Sequence, residues 1–124
     1  MDRYDPEEVP DASEWNALDE QERIDLVEEY HHAARVRLPN ATLHAVIHVV
    51  VENQVALGVP AVIAAMQRLH HEGLDRHETL HAVGSVLIAH MQRLMQSLPP
   101  TGNPNEAYER ELETLTAAAW LAAG

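Results

Sequence analysis

The sequence contains no cysteine, no lysine and no phenylalanine. Without cysteine, disulfide bonds and thiolate metal ligands are excluded. With two tryptophans and three tyrosines in 124 residues, the core must be built mainly from aliphatic side chains. No apolar run approaches the roughly 18 residues that a membrane-spanning helix needs. The polar, acidic first 15 residues do not resemble a signal peptide, so we expect a cytoplasmic protein.

The charge balance is strongly acidic, with a formal net charge of -12. All eight basic residues are arginines, and residues 1–29 alone hold twelve acidic side chains against two arginines. No basic stripe is present, so the electrostatic footprint of a nucleic-acid-binding protein is missing. Anionic membrane surfaces are disfavoured for the same reason. We therefore predict an acidic, solvated exterior that binds neither nucleic acid nor membrane.

Helix caps and helix breakers divide the rest of the chain into five predicted helices. Asp19 and Glu22 form a capping box, Asn40 and Asp75 are N-cap residues, and Pro60 suits a first helical position. The predicted helices cover residues 19–38, 40–58, 60–73, 75–98 and 103 onward. No hairpin pattern occurs. The predicted fold is all-α, a four- to five-helix bundle with short antiparallel connections.

The predicted domain organisation is simple. Residues 1–18, with their prolines and acids, are expected to form an acidic, loosely attached leader, and residues 19–124 a single helical metal-binding domain. Along the predicted fourth helix, apolar spacing indicates an inward-facing stripe. Its members are Leu80, His81, Gly84, Leu87, Ile88, Met91 and Met95.

The nine histidines all lie between His31 and His90. On the second predicted helix, His44, His48 and Glu52 follow one another at intervals of four, which places them on one face. His44 and Glu52 are separated by about 12 Å of helical rise, so one ion cannot bind all three. Either one pair holds a metal, or His48 and Glu52 belong to a two-metal site. The alternative of a solvated polar strip is weakened by the apolar residues between them.

The fourth predicted helix carries a second pair, His77 and His81, in the pattern H-E-x-x-H. Both histidines share the apolar stripe of this helix and are therefore expected to point inward. Glu78 has two interpretations: it completes a capping box with Asp75, or it acts as a base or ligand. His31 is a further candidate ligand or supporting residue.

The other four histidines are weaker candidates. His70 is expected to face inward at the end of the third predicted helix, whereas His32, His71 and His90 are interpreted as surface or flanking residues.

Two such pairs on adjacent antiparallel helices would form a cage of four nitrogen donors. Glu52 or Glu78 would add a carboxylate oxygen. Without a thiolate, these donors suit zinc or iron best, with manganese and nickel as alternatives.

The stretch N-A-T-L-H-A-V-I-H-V-V-V-E-N-Q, followed by H-E-T-L-H, resembles a small bacterial family of domains of unknown function. Its motifs are N-x-x-L-H-x-x-x-H and a later H-E-x-x-H, and the resemblance covers roughly residues 38–115. The matching positions are Asn40, Leu43, His44, His48, Gln54, His77, Glu78 and His81. The resemblance implies a helical, metal-binding domain.

A looser likeness is to hemerythrin-type di-iron bundles, which combine H-x-x-x-E on one helix with H-x-x-x-H on the next. His48 with Glu52 and His77 with His81 follow that order. Hemerythrins also supply histidine and aspartate from their last helix. This chain departs from the pattern there, because it has no histidine after His90.

These patterns predict a metal-binding protein with one or two ions between the second and fourth helices. If it is an enzyme, metal-dependent hydrolysis of an unknown small molecule is expected, with Glu78 or Glu52 taking a proton from water. A zinc peptidase is disfavoured, because no edge strand is predicted and the H-E-x-x-H motif begins at a helix cap. The alternatives are a non-catalytic bundle with structural histidines or metal, and a di-iron redox or dioxygen-handling protein. A homodimer through an exposed apolar face is also left open.

Overall fold

The structure is a computed structural model that describes residues 1–35, 38–96 and 104–123. These residues form seven α-helices and no strand, which confirms the predicted all-α class. The helices are α1 Ala12–Ala17, α2 Glu20–Ala33, α3 Ala41–Ala56, α4 Pro60–His71, α5 Arg76–Gln96, α6 Pro104–Thr114 and α7 Ala117–Ala123. The predicted end of the fourth helix at residue 98 and its following prolines lie outside the described residues, as does Asn103.

Most helix boundaries follow the local signals. The Asp19 side chain accepts from the backbone N–H of Glu22, whose own side chain accepts from the N–H of Asp19, so the predicted capping box is present. Asn40 Oδ1 accepts from the N–H of Leu43 at 2.9 Å and caps α3. Gly58 follows the end of that helix with a φ of 77°, a conformation that favours glycine.

Helix α2 ends earlier than predicted. It stops at Ala33 instead of continuing to about Leu38. The N–H of Arg35 donates to the carbonyl of His32, and Arg35 adopts a φ of 59° in the left-handed region. Pro39 disfavours a helical conformation only at the residue before it. It therefore sets a limit that the helix cannot pass, but it does not make the helix extend that far.

The chain divides into two compact units, Met1–Val59 and Pro60–Gly124. The first unit contains α1, α2 and α3, and the second contains α4 to α7. The predicted organisation, a leader of residues 1–18 and a single domain of residues 19–124, stays a prediction. Within the first unit, residues of that leader contribute to the core.

In the first unit, α1 and α2 both pack against α3 around a small apolar core. Its buried members are Tyr4, Trp15, Val27, Ala45 and Val49. Tyr4 and Trp15 both come from the segment that was expected to be loosely attached. Trp15 is fully buried in α1, and its indole Nε1 donates to Asn53 Oδ1 at 2.9 Å. Aromatic packing therefore joins the leader to α3.

In the second unit, α4, α5 and α6 pack against one another. Arg68 joins two of these helices, because its guanidinium donates to the carbonyls of Leu112 and Leu115 at 2.8 and 2.7 Å. Glu72 in turn accepts from the N–H of Ala117 at the start of α7. These contacts satisfy polar groups at the end of α6 and the beginning of α7 that the helices leave unpaired.

The predicted apolar stripe of α5 is correct only in its first half. Leu80, Gly84 and Leu87 are buried, but Met91 and Met95 are 47 and 79% exposed. Ile88 is also exposed. The buried face instead continues through His90, which follows Val83 and Leu87 at the spacing of a helical face.

Within the described residues, no single helix is long and apolar enough to cross a membrane. Among these residues, α3 and α4 reach the length and hydropathy of a membrane-spanning segment only when the two helices are taken as a pair.

Candidate metal centre

Five histidines offer ring nitrogens that can hold a metal ion. Three belong to the first unit, His31 on α2 and His44 and His48 on α3, and two belong to α5 of the second unit, His77 and His81. The chain thus carries a histidine cluster of the kind that binds a metal, and the histidines of each unit have their own geometry.

The ring of His31 is buried and has a defined orientation. Its Nδ1 lies 2.9 Å from the carbonyl oxygen of Val27, one turn earlier in α2. Because a carbonyl only accepts hydrogen bonds, Nδ1 must carry the proton. In the neutral ring, the lone pair that can ligate a metal is then on Nε2.

His44 and His48 lie one turn apart on α3, and their Nε2 atoms are 3.1 Å from each other. His48 is buried and His44 is half-buried. The N-cap at Asn40 starts the helix one turn before His44 and fixes where this face begins. The spacing that predicted a pair from the sequence therefore brings the two ligating edges together.

The three rings of the first unit form a compact triangle. The ring centroids of His31 and His44 are 4.7 Å apart, those of His31 and His48 are 4.9 Å apart, and those of His44 and His48 are 4.7 Å apart. Each ring offers one nitrogen within 4.8 Å of the nitrogens from the other two. We refer to these three residues as the histidine triangle.

Glu52, the third polar residue on this face of α3, is almost completely buried. Its Oε2 accepts a hydrogen bond of 2.6 Å from the hydroxyl of Tyr4. The same hydroxyl lies 3.2 Å from His48 Nδ1. A buried carboxylate needs a donor or a cation, and Tyr4 provides a donor.

One pocket of the first unit, of about 550 Å³, reaches the histidine triangle. Its lining, which we call the acidic pocket, consists of Asp25, Glu28, Glu29, His31, His32 and Ala41. Three carboxylates and the buried imidazole of His31 therefore line the same opening. Acidic side chains at such an opening attract cations from solution.

In the second unit, His77 and His81 lie one turn apart near the start of α5, with ring centroids 4.4 Å apart. Glu78 lies between them in sequence. Its backbone N–H donates to Asp75 Oδ1 at 2.7 Å, so the N-cap half of the predicted capping box is present. Its carboxylate accepts from the indole Nε1 of Trp120 at 2.6 Å and lies 3.9 Å from His81 Nδ1.

The remaining histidines differ in their surroundings. His32 and His71 are exposed, as predicted. His70, expected to face inward, is exposed, and its Nδ1 is paired with the carbonyl of Leu74. His90 was interpreted as a surface residue, but it is buried and stacks on Tyr108 with ring centroids 5.3 Å apart. The stacking contact comes from α6, which no pattern on α5 could have indicated.

The sequence-predicted site residues thus fall into two groups. The first unit brings together His44, His48 and Glu52. His31, a further candidate from the sequence, joins them. Tyr4 also contacts this group, and no pattern in the sequence indicated it. The second unit brings together His77, Glu78 and His81. No family model, curated protein or solved structure matches this chain.

Proposed function

We propose that this protein binds a divalent transition-metal ion through the histidine triangle of the first unit. The observation that carries this proposal is the convergence of three imidazoles from α2 and α3, with the Nε2 atoms of His44 and His48 3.1 Å apart. Two nitrogens bound at about 2.0–2.1 Å to one tetrahedral zinc ion lie about 3.3 Å apart. The His44–His48 pair therefore requires little movement to accept an ion.

The donor chemistry favours a borderline metal. Three neutral imidazoles suit zinc and iron, and also manganese or nickel, whereas calcium and magnesium prefer oxygen ligands. Because His31 donates its Nδ1 proton to a backbone carbonyl, its Nε2 is the nitrogen suited to ligation. Hydrogen bonding of the other ring nitrogen in this way is the usual arrangement of a histidine that binds metal.

We further propose that His77 and His81 of the second unit supply additional nitrogens to the same ion. Three imidazoles leave at least one coordination position to be filled. The i, i+4 spacing of His77 and His81 matches that of His44 and His48, and the rings of each pair lie within 4.4–4.7 Å. The open coordination position and the i, i+4 spacing shared by the two pairs support this assignment of His77 and His81.

A second candidate function is metal-dependent hydrolysis, and it is favoured by the surroundings of Glu78. Its side chain is 42% exposed, and its carboxylate lies 3.9 Å from His81 Nδ1. The hydrogen bond from Trp120 holds the carboxylate in place. A partly exposed carboxylate next to a metal ligand can take a proton from an activated water. Activity lost in Glu78→Gln with metal content unchanged would support hydrolysis over a purely structural role.

The metal proposal is tested by purifying the untagged protein without chelators and measuring its metal content and its affinity for zinc, iron(II), manganese and nickel. We expect about one equivalent of metal per chain. His48→Ala and His31→Ala should each weaken binding at least tenfold, because each removes a nitrogen donor.

His32→Ala is the matched control, because it removes an exposed histidine from the next position of the same helix. It should bind metal like the wild type. A double variant, His77→Ala with His81→Ala, tests the contribution of the second unit separately. A wild-type protein that stays metal-free in the presence of all four ions would refute the proposal. A near-ultraviolet absorption band of an oxo-bridged pair in the iron-loaded protein would favour a di-iron centre over a single iron ion.

A further inference from the structure

A buried hydrogen-bond chain connects the N-terminal segment to the histidine triangle. The Tyr4 hydroxyl lies between two residues of α3, 2.6 Å from Glu52 Oε2 and 3.2 Å from His48 Nδ1. All three side chains are at least 96% buried. Tyr4 is separated from the other two by 44 and 48 positions in sequence.

The number of protons on these side chains determines which group donates each hydrogen bond. A phenol has one hydrogen, and Tyr4 donates it to the Glu52 carboxylate. The phenol oxygen can then interact with His48 only by accepting the Nδ1 proton. This places the lone pair of the neutral His48 ring on Nε2, the atom that lies 3.1 Å from His44 Nε2.

We propose that Tyr4 and Glu52 are positioning residues of the metal site, and that they couple docking of the N-terminal segment to metal binding. This inference rests on the proposed metal site. Tyr4 selects the tautomer of His48 that can ligate, and Glu52 in turn orients the Tyr4 hydroxyl. A carboxylate hydrogen-bonded to a ligating histidine plays this part in many metal sites, and here a phenol lies between the two.

The coupling follows from linkage. If docked Tyr4 favours metal binding, then bound metal must favour docked Tyr4 by the same factor. The segment also has contacts of its own, because the Tyr4 ring packs on Trp15 and edge-on against Tyr30, with centroids 5.9 and 6.3 Å away. Removing only the hydroxyl therefore leaves the aromatic packing in place.

The test compares Tyr4→Phe with the wild type and with Tyr108→Phe, which removes a hydroxyl from a buried tyrosine of the second unit. Zinc affinity is measured by competition with a chromophoric chelator. We expect Tyr4→Phe to bind zinc 10–100-fold more weakly at unchanged stoichiometry, the range found for such outer contacts. Glu52→Gln should fall in the same range, and Tyr108→Phe should bind like the wild type.

Two readouts separate positioning from general destabilisation. Nitrogen-15 spectra of the metal-free protein should show the His48 proton on Nδ1 in the wild type and a mixture of tautomers in Tyr4→Phe. Hydrogen exchange of residues 2–17 should slow on adding zinc to the wild type, and this protection should shrink at least tenfold in Tyr4→Phe.

The outcomes distinguish this inference from the metal proposal itself. If the wild type binds zinc and Tyr4→Phe binds within twofold of it, the inference is overturned while the metal site stands. The inference is also overturned if wild-type His48 carries its proton on Nε2. If the wild type binds none of the metals tested, both proposals fall.

Discussion

Replacing Trp15 with alanine tests whether residues 1–18 belong to the folded core. Trp15 is fully buried, and its indole donates to Asn53 Oδ1 at 2.9 Å. Arg23 packs over the ring with its guanidinium carbon 5.8 Å from the ring centroid, and it also donates to Asn53 Oδ1. Asn53 therefore keeps one donor when the indole is removed.

The expected cost of Trp15→Ala follows from these contacts. Truncating a buried tryptophan to alanine costs about 3–5 kcal/mol through lost burial and the cavity that remains. The lost indole hydrogen bond contributes about 1 kcal/mol of stability. The contact with Arg23 adds about 0.5–1 kcal/mol. We therefore expect the free energy of unfolding to fall by about 4.5–7 kcal/mol.

The measurement is urea unfolding followed by circular dichroism at 222 nm. Because this loss could unfold the protein outright, Trp15→Phe is measured as well, and it should cost about 1–2 kcal/mol. Trp120→Ala is the control, since Trp120 is only half-buried, and it should cost about 1 kcal/mol. A change below about 0.5 kcal/mol in Trp15→Ala, the range of a surface substitution, would refute the docked position of the N-terminal segment.

Two further predictions address the second unit and access to the metal. Arg68→Met keeps the apolar stem but removes the hydrogen bonds to two carbonyls at the C-terminal end of α6, so the free energy of unfolding should fall by about 2 kcal/mol in urea denaturation. An unchanged midpoint would contradict this. The double variant E28Q/E29Q removes two of the three carboxylates of the acidic pocket. It should slow zinc uptake severalfold in low-salt stopped-flow measurements and converge with the wild type in 1 M salt. E7Q/E8Q changes the net charge equally but leaves that pocket intact, and equal slowing in both variants would count against the pocket as the route.

Local signals were enough to predict α2 to α5 and the two histidine pairs, whereas α1 was not predicted and the last predicted helix is divided into α6 and α7. A capping box, an N-cap asparagine and an i, i+4 pair all act within one or two turns of the chain, so their geometry follows directly from helix formation. His44 and His48 were therefore brought together as predicted. The same is true of His77 and His81.

Contacts between distant segments could not be predicted in this way. Tyr4 reaches His48 across 44 positions, and nothing in the acidic segment around it indicates a buried phenol. Met91 and Met95 show the opposite error, since their apolar character suggested burial that no described neighbour supplies. Helical periodicity indicates which residues share a face, but packing against other helices decides which face is buried.

X-ray absorption spectroscopy of the zinc-loaded protein tests the central claim most directly. The histidine triangle predicts a first shell of nitrogen and oxygen at about 2.0–2.1 Å, with outer-shell scattering from at least three imidazoles. His31→Ala should remove one imidazole from that count. A first shell of oxygen alone, or a wild-type imidazole count below three, would contradict the account.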